Sequence, residues 1–140
     1  MAQRENNRKK KVLPDMPHSL EAEQALLGCL LLDTKIQVEL AAFLKEEDFY
    51  AESHKYIFNA MQEIINQNQP VDLVTLTDLL EKQGTLEQAG GIAYITELTN
   101  IMPSSANYNR YSEIVTRDSL LRRLIKSSAE IIENCKTSTD

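Results

Sequence analysis

Few side chains in this 140-residue sequence combine a type and a spacing that could do chemistry. His18 and His54, with Cys29 and Cys135, are scattered and lack the ligand spacing that a metal site needs. Glu21 and Glu23 are the nearest thing to an acid pair, but residues two apart on a helix point away from each other. Charge at the positive end of a helix dipole accounts for both. His54 falls on the apolar side of a predicted helix, where a histidine is ordinarily a hydrogen-bonded packing residue. An acid–base role with a carboxylate, as in a small all-α enzyme, requires a pocket that opens onto it. A phosphate loop needs a glycine-rich turn and a lysine. Gly84, Gly90 and Gly91 are the only clustered glycines, and neither Gly-Lys-Ser nor Gly-Lys-Thr occurs. No catalytic centre is legible.

The elements that would position these residues are helices. Pro17 discourages helix before it, Ser19 can accept from the first turn, and Leu20, Leu27 and Leu31 share a face widened by Leu26 and Leu30. This first helix is expected to organise the chain, with Leu27 and Leu31 buried beneath the third. Gly28 costs about 1 kcal/mol against Ala in a helix interior, a cost offset if another helix approaches closely there. Asp33 then caps a second helix carrying Ile36, Leu40, Phe43 and Leu44. Ser53 caps a third, with Ile57, Phe58, Met61, Ile64 and Ile65 at helical spacing. Asp72 caps a fourth that stops at Gly84, and Ile92, Ile95 and Leu98 mark a fifth, closed by Met102-Pro103. From about Ser105 to Cys135 no glycine or proline interrupts the chain, so one helix near 45 Å long is expected. It carries one stripe through Tyr111, Ile114, Leu121, Ile125, Ile132 and Cys135 and a second through Leu120, Leu124 and Ile131. One stripe can pack on the bundle; the other lacks a partner, the signature of half a helical hairpin.

No stretch alternates as a strand, so the fold class is all-α: about five short helices in a compact bundle, then one long helix. The division expected is a disordered basic leader over 1–13, a helical globule over 14–103, the first hairpin arm over 104–136 and a tail over 137–140. With 42% hydrophobic and 26% charged residues the chain can bury a core. Its longest apolar run, Ala25 to Leu32, is too short to span a bilayer. The absence of an apolar start and of paired cysteines points to reduced thiols and a cytoplasmic location. Charge is unevenly placed. Residues 1–11 hold five basic residues against Glu5, and the remainder holds 10 basic against 20 acidic. An acidic body repels phosphate, so little nucleic-acid binding is expected beyond weak contact by the leader. A helix-turn-helix over Asp72–Asn100 is rejected because that stretch carries five acids and only Lys82.

Taken in order, the motifs resemble a known family. Pro17-His18-Ser19-Leu20-Glu21-Ala22-Glu23-Gln24-Ala25-Leu26-Leu27-Gly28 is similar to the opening of the N-terminal domain of bacterial DnaB-type replicative helicases. Asp48-Phe49-Tyr50, His54 with Ile57-Phe58, Pro70 to Leu76, Gly90 to Tyr94, Pro103 to Asn107 and Tyr111 to Val115 follow in the family's order. The resemblance implies a helical globule and a two-helix hairpin through which subunits pair, giving a trimer-of-dimers collar above a ring of ATPase domains. It also implies docking of DnaG-type primase, with Glu21, Tyr94, Ile125 and Ile131 as contact candidates. Self-association candidates are Leu120, Leu124, Ile125 and Ile131. On the resemblance, the chain ends where the second hairpin helix begins and lacks the ATPase domain. ATP and magnesium chemistry would then lie outside it, leaving a chain that is not itself an enzyme and holds no cofactor. The alternative is a stand-alone helical interaction module that does not act in replication.

Overall fold

The computed structural model describes residues 16–102 and 104–138; the leader and the last two residues lie outside that range. Among the described residues the elements are all helical: α1 (Leu20–Leu32), α2 (Lys35–Phe43), a 3₁₀ turn (Glu46–Asp48), α3 (Glu52–Asn66), α4 (Leu73–Gln83), α5 (Gly91–Ile101) and α6 (Tyr108–Thr137).

Local chemistry explains most boundaries. The Ser19 hydroxyl accepts from the Ala22 N–H at 3.1 Å and opens α1. Asp72 and Thr75 cap α4 reciprocally, the Asp72 carboxylate taking the Thr75 N–H at 2.8 Å. Gly84 closes α4 in the left-handed conformation, φ 72°. The Asp33 carboxylate bonds the Lys35 N–H at 2.9 Å at the start of α2, although Thr34 holds the cap position. Ser53 does not cap α3: Ala51 does, and its side chain makes no cap bond. The reason is a carboxylate from another helix, described below.

α1 is the central element, but its main neighbours are α5 and α6, with α3 a lesser one. Gln24 meets Tyr94 and Gly28 meets Leu98, so α1 and α5 run side by side in the same direction. A Cβ on Gly28 would stand 2.9 Å from the Leu98 carbonyl oxygen, which makes the close approach expected of this glycine explicit. Leu26, Leu27 and Leu30 are buried, Leu31 is half-buried, and Leu20 is exposed. The α3 stripe is buried throughout, His54 included. Phe43 turns outward from α2 while Leu44, just past the helix, goes in. Gln37, itself buried, ties three segments: its amide donates to the Leu30 and Val71 carbonyls at 2.8 and 2.9 Å and accepts the Val71 N–H at 2.9 Å.

The expectation for α6 needs correction. Its buried face against the globule is Ser112, Val115, Ser119 and Arg122, with Asp118 also buried; of the first apolar stripe only Tyr111 and Ile114 pack against the core, and the second stripe supplies none of this face. Tyr111 and Ile114 are half-buried, but Leu121, Ile125, Ile132 and Cys135 are exposed, as are Leu120, Leu124 and Ile131. Every side chain from Arg123 through Ser138 is exposed. The 104–136 segment thus divides into a docked root, ending at Arg122, and a projecting remainder.

Candidate functional site

Two buried polar clusters hold the surfaces that carry the candidate residues. The first joins α1, α3 and α5. Glu23, 1% exposed, lies on the inward stripe of α1 with Leu26, Leu27 and Leu30 and does not face solvent beside Glu21. Its Oε2 accepts the Tyr50 N–H at 2.7 Å and its Oε1 the Ala51 N–H at 3.3 Å, so a carboxylate from α1 satisfies the main chain entering α3. That placement at the positive end of α3 is why no local side chain is needed as a cap. Oε1 also lies 2.8 Å from His54 Nδ1, and His54 Nε2 lies 2.6 Å from the Tyr94 hydroxyl. The Gln24 amide donates to the same hydroxyl at 3.1 Å. No buried side-chain polar atom among the described residues is left without a partner. The expectation that Glu23 is only capping charge for α1 is therefore corrected: it caps a different helix, from inside the core.

The pair also answers the acid–base reading of His54. A carboxylate does sit beside the imidazole, yet Glu23 and His54 are each only 1% exposed. Among the described residues no three His, Cys, Asp or Glu side chains are grouped to hold a metal.

The second cluster fastens the root of α6. Ser119 Oγ donates to Asp48 Oδ1 at 2.7 Å, and Asp48 Oδ2 accepts the Lys45 N–H at 2.9 Å. Arg122, 7% exposed, donates from Nη1 to the Pro17 carbonyl at 2.8 Å and from Nη2 to the Asp48 carbonyl at 2.9 Å. Its guanidinium carbon lies 5.6 Å from the centroid of the Tyr50 ring, which stacks on His18 at 4.0 Å. The residues entering α1, the turn before α3 and the base of α6 meet here.

The candidate residues fall into two groups. Glu21 is exposed on the first turn of α1, one turn before Gln24, and Tyr94 is half-buried beside that glutamine. The Tyr94 ring lies over Gly90, where a Cβ would come within 2.6 Å of it. Leu120, Leu124, Ile125 and Ile131 stand 48%, 54%, 46% and 62% exposed on α6. Sequence reading missed Glu23, Asp48, Ser119 and Arg122. A signal was present for Glu23, an acid at the spacing of the buried leucines, three, four and seven residues before Leu26, Leu27 and Leu30. Elsewhere, hydrogen bonding from Ser105 holds the Asp33 carboxyl below the usual carboxylate range. Burial pushes the Cys29 thiol up, and the Glu39 hydrogen bond raises the Tyr108 phenol.

Fold and surfaces together define, among the described residues, an all-α globule with one long helix that overhangs it and a His–Glu pair buried in its core. The family model for the DnaB-like helicase N terminal domain matches residues 15–117, and the chain belongs to that family. It is 42% identical over 124 residues to the replicative DNA helicase DnaB of Geobacillus stearothermophilus, covering 89% of this chain and 27% of that protein. It is 41% identical over 121 residues to the DnaB of Buchnera aphidicola subsp. Baizongia pistaciae, covering 86% and 26%. The chain thus spans about a quarter of the length of these curated relatives. In structure it is similar to the N-terminal domain of DnaB helicase from Mycobacterium tuberculosis, with TM-score 0.84, 30% identity and 89% of each chain covered. It is also similar to a DnaB-like replicative helicase whose structure was described with its interactions with primase. There the TM-score is 0.74 at 29% identity, over 84% of this chain and 28% of that one. No helix among the described residues is long and apolar enough to cross a membrane.

Proposed function

We propose that this chain is the collar domain of a replicative DNA helicase, pairing subunits through α6 and offering a docking surface to DnaG-type primase in DNA replication. The observation that carries the reading is the stretch of α6 from Leu120 onward, where Leu120, Leu121, Leu124, Ile125, Ile131 and Ile132 are all at least 40% exposed. Fully burying one such side chain is worth about 1.5–3 kcal/mol. Several of them favour association with a further helix, and the entropy of association offsets much of that gain. The pairing expected of the chain by itself is therefore weak. ATP hydrolysis, with its magnesium, belongs in this reading to the remainder of the parent protein, and the chain itself is not an enzyme.

Light scattering after size exclusion at several concentrations tests the pairing. Mass should rise with concentration, and Leu124→Glu should abolish the rise; a strict monomer at several hundred micromolar would overturn it. Tyr94→Ala in the full-length parent should weaken primase binding with little change in thermal stability. Unchanged binding by a folded variant would remove Tyr94 from the contact set.

A further inference from the structure

The hydrogen bonds around Tyr94 have a direction. Glu23 accepts two main-chain N–H groups at 2.7 and 3.3 Å, so it stands as an acceptor toward His54 as well, and Nδ1 carries a proton to it. An imidazole whose single proton is held there presents a bare Nε2, 2.6 Å from the Tyr94 hydroxyl, as the acceptor of the phenol proton. In that arrangement the phenol proton is committed inward, while Gln24 donates to the same oxygen at 3.1 Å. One lone pair of that oxygen is then left without a donor among the described residues. The surroundings have the same sense. Residues 17–34 and 83–109, which contain α1, α5 and the turns beside them, hold no Lys or Arg, and Glu21 and Glu97 are exposed there. Glu97 lies one turn beyond Tyr94 on α5 and Glu21 one turn before Gln24 on α1.

We propose that the Glu23–His54 pair fixes Tyr94 as a hydrogen-bond acceptor only, and that this face receives a partner segment bringing Lys or Arg donors. The inference rests on the reading of Tyr94 and Glu21 as primase contacts and adds the chemistry that the primase must present. A carboxylate offered at this face meets two like charges; an ammonium or guanidinium meets an oxygen and two opposite charges. His54 and Glu23 act here as positioning residues, through the orientation of one hydroxyl.

Two measurements test it. In a two-bond nitrogen–proton correlation spectrum of the histidine-labelled chain at neutral pH, with His18→Gln used for assignment, His54 should appear as the Nδ1–H tautomer. A proton on Nε2 overturns the assigned polarity without any partner being present. Binding of the DnaG-type primase is then compared across variants. Tyr94→Phe should weaken binding roughly two- to tenfold, the worth of one hydrogen bond. His54→Gln combined with Tyr94→Phe should be no worse than the more damaging single change, and additive losses overturn the coupling. Glu21→Lys should weaken binding more than Glu21→Gln and flatten its salt dependence. Normal, salt-insensitive binding by Glu21→Lys overturns the cationic-partner inference and leaves docking standing. A wild-type chain that binds no primase overturns the docking reading and the partner chemistry with it.

Discussion

The two halves of α6 are built on opposite plans. The root, up to Arg122, buries mostly polar side chains: Ser112, Asp118, Ser119 and Arg122 beside the single apolar Val115. The projecting half exposes its apolar ones. In a free-standing globule one would expect the reverse assignment, since burying polar groups costs energy unless each is bonded. Ser119 and Arg122 meet that condition because the segment they rest on offers a carboxylate and main-chain carbonyls, which a leucine could not use, and Asp118 is met by the neighbouring Arg117. The apolar residues of the helix are thereby left on its surface. Packing within the chain and readiness for contact outside it are divided along one helix.

The largest expected effect lies in the core of the globule. Leu27→Ala should lower stability by about 2–5 kcal/mol in chemical denaturation. A loss below about 1 kcal/mol would show α1 to be peripheral and the contrast with the arm to be one of degree. Next is Arg122→Met, which leaves the Asp48 carbonyl without its donor at a cost of about 1–3 kcal/mol. If the variant is as stable as wild type, the polar seam contributes nothing and the root is held by Val115 and its neighbours. In the arm, Leu124→Glu should change monomer stability by no more than about 0.5 kcal/mol while removing self-association. A clear loss of stability would mean that the arm folds back onto the globule. The smallest effect is a pH dependence at Asp33. Its carboxyl is held below the ordinary range by Ser105, so its contribution is present above the unfolded-state value and is lost as pH falls through the folded-state value. Acid titration of stability should therefore be shallower for Asp33→Asn; an identical profile would show that the Ser105 bond does not survive in solution.

Much of this was legible in the residues. The helices, the caps at Ser19 and Asp72, the stop at Gly84 and the close approach at Gly28 follow from local rules acting within one or two turns. Cap assignment failed at α3 because the satisfying carboxylate comes from Glu23, 28 residues before Ala51 and on another helix. The α6 seam failed for a related reason. Periodicity ranks faces by hydrophobicity, and here the apolar faces are the exposed ones. Glu23 and His54 could have been paired from sequence alone, since each is a polar residue set within an otherwise buried stripe and each is what the other needs. Asp48 and Arg122 carry no such mark, because the groups that Arg122 grips belong to the backbone.

That last point has a consequence for genetics. Arg122 bonds the carbonyls of Pro17 and Asp48, groups present whatever side chains occupy those positions. A defect caused by losing the arginine therefore cannot be repaired by exchanging charges with a partner residue. Searches for second-site revertants of Arg122 variants should return changes elsewhere in the fold that raise its general stability, and none that recreate the lost pair. Glu23, whose partners include the exchangeable side chain of His54, leaves room for local suppressors.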